Sequence, residues 1–249
     1  MARRLTVLHT NDFHNHLTRE QANTIRTRKL SVEGPVVLLD AGDAVSAGNV
    51  GVRLGGEPIL DLMSETGYDA MTMGNREFHI ADAVLRHKIG KATFPVLSAN
   101  MRYKDGDGEL PTRGSAIIET AHLRVGVVGL TVPMVTERMA ARHLSSFLFD
   151  EAIDTARREV EELQSACDAL ILLSHVGYRT DQRLAAACPA LALIVGGHSH
   201  AVLESADMEW GVPIVQAGWF GKYLGTVVLE ESDGKFHVVS SGLEPLVGS

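Results

Sequence analysis

Cysteine is scarce in this chain, and long apolar runs and an excess of positive charge are absent. Only two cysteines occur among 249 residues, which excludes a disulfide framework. Cys167 and Cys188 do not form a Cys-x-x-Cys motif, so we interpret both as small, buried apolar residues. No apolar run approaches the ~20 residues that a membrane-spanning helix needs, so no membrane partner is expected. No apolar leader follows Met1, and we therefore expect a cytoplasmic protein.

The charge balance is acidic, with 23 Lys and Arg against 31 Asp and Glu and a formal net charge of -8 at pH 7. Because nucleic-acid binding depends on neutralising phosphates with basic side chains, no nucleic-acid partner is expected. The remaining composition, 45% hydrophobic and 22% charged, is that of ordinary globular proteins, and no linker or repeat divides the chain. We therefore expect one domain over residues 1–249.

Short runs rich in Val, Ile and Leu alternate with helical patterns in the first part of the chain. Periodicity predicts helices at Pro58–Glu65, Ile80–Ile89 and Asp150–Ala166. Strands are predicted at Leu5–His9, Val36–Asp40, Ala70–Met73, Phe94–Ser98, Ala116–Glu119, Leu123–Gly129, Ala169–Ser174, Leu193–Val195, Ile214–Gln216, Tyr223–Glu230 and Phe236–Ser240. The last three belong to a β-rich end in which Asp233-Gly234 is typical of a hairpin turn. This order favours a mixed α/β fold in which two sheets pack together with helices outside.

Polar clusters follow five of the predicted strands, where an open α/β sheet gathers its functional site. The clusters are Asn11–His14, Asp40–Asp43, Gly74–Glu77, His175 and Gly196–His200. Any one of them is compatible with a helix cap, a turn or a core histidine, but all five together indicate a shared site. Carboxylate and imidazole ligands without thiolate suit divalent ions such as Mn, Zn or Fe.

With these motifs the sequence resembles the calcineurin-like metallophosphoesterases, and in particular the catalytic domain of the bacterial 5'-nucleotidase branch. The resemblance runs from Leu5 to Leu243 and rests on an ordered set of motifs, which comprises Asp12-Phe13-His14, Gly42-Asp43, Gly74-Asn75-x-Glu77, His175 and Gly197-His198-Ser199-His200. It implies a four-layer αββα sandwich, with two packed mixed sheets flanked by helices, that carries two divalent metal ions.

The resemblance also implies a role for each candidate ligand. Asp12, His14 and His200 would hold the first metal, Asn75, His175 and His198 the second, and Asp43 would bridge them. Such a pair of metals activates a bridging water for in-line attack on phosphorus. The implied function is hydrolysis of small phosphomonoesters or phosphodiesters, with nucleotides among the plausible substrates.

Two residues depart from the family pattern beside Asn75, which is itself a candidate for contact with the phosphate. Where the family usually has a histidine and, three residues later, an aspartate, this chain has Arg76 and His79. Arginine neutralises charge but cannot donate a proton as a general acid. We therefore hypothesise that Arg76 stabilises transition-state charge and that His79 supplies or relays a proton to the leaving group.

The second departure is length, because nucleotidases of the family carry a further C-terminal domain that binds the nucleoside. We expect the chain to be the catalytic domain alone, so that the substrate contacts the catalytic face itself. Candidates for that contact are Phe13, Asn15, His16, Tyr178, Arg179, Trp219 and Phe220. For the aromatic members, packing in the core is the favoured interpretation.

Three other functions stay open. A thiosulfohydrolase-like enzyme would use the same scaffold on a non-phosphate ester, and a degenerate relative would be a catalytically silent metal-binding module. A nuclease would need a basic groove, for which the first helical segment offers only Arg19, Arg26, Arg28 and Lys29. We favour a solvated helix face for those four residues.

Overall fold

The structure is a computed structural model that describes residues 3–48, 50–106 and 108–246. Its helices are α1 (Arg19–Ser31), α2 (Pro58–Thr66), α3 (Asp82–Ile89), α4 (Ala152–Leu163) and α5 (Tyr178–Ala187), with a short 3-10 helix at Ala140–His143. Its strands are β1 (Arg4–Thr10), β2 (Val36–Asp40), β3 (Ala70–Thr72), β4 (Val96–Leu97), β5 (Met101–Tyr103), β6 (Ser115–Glu119), β7 (Arg124–Thr131), β8 (Phe147–Phe149), β9 (Ala169–His175), β10 (Leu193–Gly196), β11 (Ile214–Val215), β12 (Tyr223–Ser232) and β13 (Lys235–Pro245).

Most of the strands belong to two mixed sheets. The first has six strands in the order β13-β12-β1-β2-β3-β4, and the second has five in the order β11-β10-β9-β7-β6. Strands β1 to β4 run parallel, as do β7, β9, β10 and β11, so their carboxyl ends lie at one edge of each sheet. Strand β12 pairs antiparallel with β1, and β6 pairs antiparallel with β7. Strands β5 and β8 form a separate antiparallel ribbon.

Three apolar clusters define the layers. The inner cluster joins residues of both sheets, among them Val7 and Val37 from the first and Val127 and Ile171 from the second. A second cluster packs the other face of the first sheet against α1, α2 and α3, and a third packs the second sheet against α4 and α5. Helices therefore cover both outer faces, and the expected αββα sandwich is confirmed.

Burial on both faces explains why the parallel strands could be predicted. Every residue of β9 is buried, and a strand covered on both sides needs a continuous apolar run instead of an alternating one. Each predicted strand and helix has a counterpart in the structure. The hairpin turn is also where it was predicted, because Asp233 and Gly234 have φ of 53° and 74° between β12 and β13.

Other features were missed or only partly predicted. The short strands β5 and β8 and the helix α5 were not predicted. Cys188 is buried as expected, whereas Cys167 is half-buried, and both are free thiols. Within the described ranges, no helix combines the length and the apolar character needed to cross a bilayer. The cytoplasmic location stays a prediction.

Candidate metal centre

The polar clusters converge because the carboxyl ends of β1, β2 and β3 in one sheet face those of β9 and β10 in the other. Backbone hydrogen bonds tie the first two loops together, from the Asp12 N–H to the Gly42 carbonyl (2.9 Å) and from the His14 N–H to the Asp43 carbonyl (2.9 Å). In the second sheet, the Gly197 N–H donates to the Ser174 carbonyl (2.8 Å). The site therefore lies across the edges of both sheets.

The first group of candidate ligands is Asp12, His14 and His200. The His14 and His200 Nε2 atoms are 3.0 Å apart, and they lie 3.7 and 3.3 Å from Asp12 Oδ1. Asp12 Oδ2 accepts hydrogen bonds from the His198 N–H and from the Asn11 side chain, whereas buried Asp12 Oδ1 has no partner among the described residues. Two imidazole nitrogens and an unpaired carboxylate oxygen facing one point fit a divalent cation.

The second group is centred on His175. Its Nε2 lies 3.4 Å from Asp43 Oδ1 and 3.3 Å from Asn75 Oδ1, which in turn lies 3.0 Å from His198 Nδ1. The other ring nitrogen, Nδ1, donates to the Ala41 carbonyl at 2.6 Å and so directs Nε2 into the site. The structure thus brings all seven candidate ligands together. Their role as ligands is a proposal.

The two groups are adjacent. Ligand atoms of Asp12, Asp43 and His175 all lie within 4.8 Å of one another, and Asp12 also belongs to the first group. Carboxylates at such a junction can serve two cations at once. The donor set therefore fits a pair of divalent ions.

The surroundings of the histidines set their protonation. Burial lowers the pKa of His14 to about 4 and also lowers that of His198, so both rings are neutral near pH 7 and offer lone pairs. Burial opposes a charge on His175 as well, but the hydrogen bond and charge of Asp43 raise its pKa to about 9. The same hydrogen bond lowers the pKa of Asp43 despite burial. A bound cation would displace the His175 proton.

The backbone is strained at this site. Five candidate ligands have left-handed φ values between 47° and 68°, namely Asp12, His14, Asp43, His198 and His200. Among the described non-glycine residues with positive φ, the others are Asn15, Phe220 and Asp233, of which Asp233 belongs to the β12–β13 turn. Such strain costs about 1–3 kcal/mol per residue and concentrates at functional sites.

Glu77 has a role that sequence reasoning missed, although it belongs to a quoted motif. Its fully buried carboxylate accepts the N–H groups of Asp43 (2.9 Å) and Gly74 (2.8 Å) on Oε2 and of Val45 (3.0 Å) on Oε1. Burial and the charge of Asp43 raise the pKa of Glu77 to about 7, against the pull of these donors. Glu77 therefore fastens the loop after β2 to the loop after β3.

Gly74 permits that close approach. A Cβ at this position would lie 2.3 Å from both the backbone nitrogen and Oδ1 of Asp43. Real Cβ atoms do not come so close, so any side chain here would push Asp43 out of place.

Arg76 lies at the site. Its backbone N–H donates to Asp43 Oδ1 (2.7 Å), its Nε lies 3.5 Å from Asp43 Oδ2, and its guanidinium donates to the Ser46 carbonyl (3.0 Å). His79 is half-buried before α3, and its Nδ1 accepts the Ala81 N–H (3.0 Å). No hydrogen bond or ion pair within the described ranges joins His79 to the candidate ligands.

The predicted substrate-contact residues separate into two kinds. Phe13 is fully buried in the core, as expected, and Tyr178 is half-buried and hydrogen-bonded to Asp207. Core packing was the wrong interpretation for Phe220, which is 37% exposed beside the site. Exposed neighbours of the site also include Asn15 and His16.

Three of the four basic residues on α1 have acidic partners. Arg19 pairs with Glu65, Arg28 with Glu244 and Lys29 with Asp69. Such pairing favours the interpretation of a charged helix face over a basic groove.

Comparison with known proteins gives the class. The family model described as calcineurin-like phosphoesterase matches residues 5–202, and the chain belongs to that family. Protein UshA of Escherichia coli K12 is 31% identical over 98% of this chain and 52% of its own length. The 5'-nucleotidase of Bos taurus is 29% identical over 98% of this chain and 49% of its own. The chain thus spans about half the length of the curated relatives it matches.

Solved structures share the fold. A 5'-nucleotidase precursor from Thermus thermophilus has a TM-score of 0.79 at 26% identity, over 97% of this chain and 54% of that one. The match therefore covers about half of that nucleotidase precursor.

Proposed function

We propose that residues 1–249 form one catalytic domain that hydrolyses small phosphomonoesters or phosphodiesters with two divalent ions. The observation that carries this proposal is the pair of adjacent donor groups that share Asp12, with Asp43 and His175 completing the second group. Nitrogen and oxygen donors without thiolate suit Mn, Zn or Fe. The relatives named as nucleotidases support a phosphorylated substrate of small size.

When bound, the cations would neutralise phosphoryl charge and lower the pKa of a water molecule that attacks phosphorus. The chain itself contributes rigid placement, because buried hydrogen bonds fix part of the donor set before substrate arrives. His175 is held through the Ala41 carbonyl, and Asp12 through the His198 N–H. Little reorganisation is then required during the reaction.

Arg76 would add a positive charge on the open side of the site. Its side chain is 38% exposed while its Nε remains near Asp43, so part of the guanidinium is free to face solvent and substrate. A planar guanidinium can bind two phosphoryl oxygens and stabilise the charge that develops on them.

The test is hydrolysis of p-nitrophenyl phosphate and bis-p-nitrophenyl phosphate by chelator-treated protein with Mn²⁺ restored. An Asp12→Ala variant purified in the same way controls for contaminating phosphatases. We expect metal-dependent release of p-nitrophenol that the variant lacks, and the faster ester separates monoesterase from diesterase. Binding of two ions per chain without turnover of either ester would contradict the proposal. A thiosulfate ester or a silent metal-binding role would then be tested next.

We further propose His79 as the residue that supplies or relays a proton to the leaving group. His79→Ala is expected to slow hydrolysis of an alkyl phosphate by about tenfold, less than a general acid usually contributes, because Arg76 still neutralises charge. Hydrolysis of p-nitrophenyl phosphate is expected to stay within about twofold, because that leaving group needs no proton. Burial lowers the pKa of His79, so its ring is mostly neutral at neutral pH. Because Nδ1 accepts the Ala81 N–H, the proton that the ring would supply or relay is the one on Nε2.

The matched control is His79→Asn. Asparagine can accept the Ala81 N–H in place of Nδ1, but it cannot transfer a proton. Equal rate losses in both variants would support proton transfer. A normal rate in His79→Asn, with a loss only in His79→Ala, would make the role structural and overturn the proposal.

A further inference from the structure

An aromatic ledge, formed by the exposed residues Phe220 and His16, lies beside the first candidate metal group. The two ring centroids are 4.3 Å apart with planes inclined by 32°, and the Phe220 ring meets His14 edge-on at 5.5 Å. Trp219 stacks on His200 at 5.8 Å and carries the Lys222 ammonium 3.9 Å from its ring centroid. The ledge is therefore continuous with two candidate ligands.

The backbone holds Phe220 in this place at a cost. Its φ is 60°, a left-handed value that is unfavourable by about 1–2 kcal/mol for a residue with a Cβ. The Phe220 N–H donates to the Asp12 carbonyl (2.8 Å), so the ring position is coupled to a candidate ligand. Gly218 and Gly221, with φ of 76° and 65°, form the bends on either side. Strain, exposure and closeness to the site coincide at one aromatic residue.

We propose that Phe220 and His16 stack on a planar ring in the leaving group of the substrate, a nucleobase or an aryl group. This inference rests on the proposed phosphoesterase function, since the ledge adjoins His14, one of the candidate ligands among which a phosphoryl group would be held. Aromatic rings offer a sequence-tolerant stacking surface worth about 1–3 kcal/mol per base. Lys222 adds a positive charge that favours phosphorylated ligands. The catalytic face thereby supplies its own selectivity.

The first experiment uses two pairs of esters, in each of which one ester has a planar ring in its leaving group and the other does not. Adenosine 5'-monophosphate and ribose 5-phosphate share the scissile ester, and phenyl and cyclohexyl phosphate form a second pair that tests an aryl source. In Phe220→Leu, the KM for the ester with the planar ring, adenosine 5'-monophosphate or phenyl phosphate, is expected to rise about tenfold in at least one pair. The KM for its partner is expected to stay within about twofold. Phe220→Trp is expected to retain the preference, because it keeps a stacking surface.

A binding measurement does not depend on metals or turnover. The chain has two tryptophans, so a Trp210→Phe background leaves Trp219 as the fluorescent reporter beside the ledge. Adenosine and phenol are titrated into chelator-treated protein, and quenching of Trp219 gives the affinity for each. For at least one of the two compounds, the affinity is expected to fall at least about fivefold in Phe220→Leu or His16→Ala. Circular dichroism verifies that each variant is folded.

The outcomes separate the two proposals. If all four esters are turned over and Phe220→Leu changes the KM in neither pair, the proposed stacking role of the ledge is overturned. The phosphoesterase function is then left intact. Absence of turnover, together with quenching that depends on Phe220, would overturn the function and leave a ring-binding surface. Quenching that is equal in all variants would overturn the ledge whatever the activity.

Discussion

Replacing Asp43 by asparagine is expected to lower phosphoester hydrolysis by about 10³-fold, the upper end of what loss of one stabilising group costs. Asp43 is buried between the Arg76 backbone N–H and His175, and its charge raises the pKa of that histidine. Asparagine has nearly the same shape but no charge. The variant therefore removes the anion on which both the histidine and a cation depend.

Metal content gives an independent measure of the same change. Elemental analysis of Asp43→Asn is expected to find fewer than two ions per chain, against two in the unchanged protein. Asp154→Asn is the matched control, because Asp154 is an exposed acid on α4 away from the site. Two ions and a normal rate in Asp43→Asn would refute the role proposed for this carboxylate.

The location of the site was predictable because parallel strands leave a clear sequence signal. The buried run Ala169–Ser174 delivers His175, and Leu193–Val195 leads to the Gly196–His200 cluster. Strand ends in parallel sheets meet at one edge, so polar residues that follow them must lie close together. The element order already favoured two packed sheets, and the resemblance to the phosphoesterases added the expectation of a four-layer αββα sandwich that carries two divalent ions.

The missed features lack such a signal. Helix α5 buries Leu184 and Ala185 but also Asp181, which disturbs an apolar pattern. Strands β5 and β8 have three residues each, too few for periodicity to register. The exposed position of Phe220 follows from a left-handed backbone, which composition does not reveal for a residue other than glycine.

The role of Glu77 was equally hidden, because it depends on two loops that are distant in the chain. Glu77→Gln is expected to weaken metal binding by about 10- to 100-fold, as loss of a residue supporting metal ligands commonly does. Glutamine can keep its oxygen where Asp43 and Gly74 donate, but its NH₂ group then faces the Val45 N–H. The unpaired donor is expected to lower the free energy of unfolding by about 1–3 kcal/mol.

Glu77→Ala should be worse than Glu77→Gln in both respects, because all three N–H groups lose their acceptor and a cavity forms between the loops. Metal titration and denaturant unfolding measure the two effects, with Glu65→Gln on the exposed side of α2 as the matched control. Metal affinity and the free energy of unfolding are expected to be highest in the unchanged protein, lower in Glu77→Gln and lowest in Glu77→Ala. This order follows from the number of N–H donors that each variant leaves unpaired. Native metal affinity in Glu77→Gln would mean that the close packing of Gly74 against Asp43 positions this ligand without the Glu77 carboxylate.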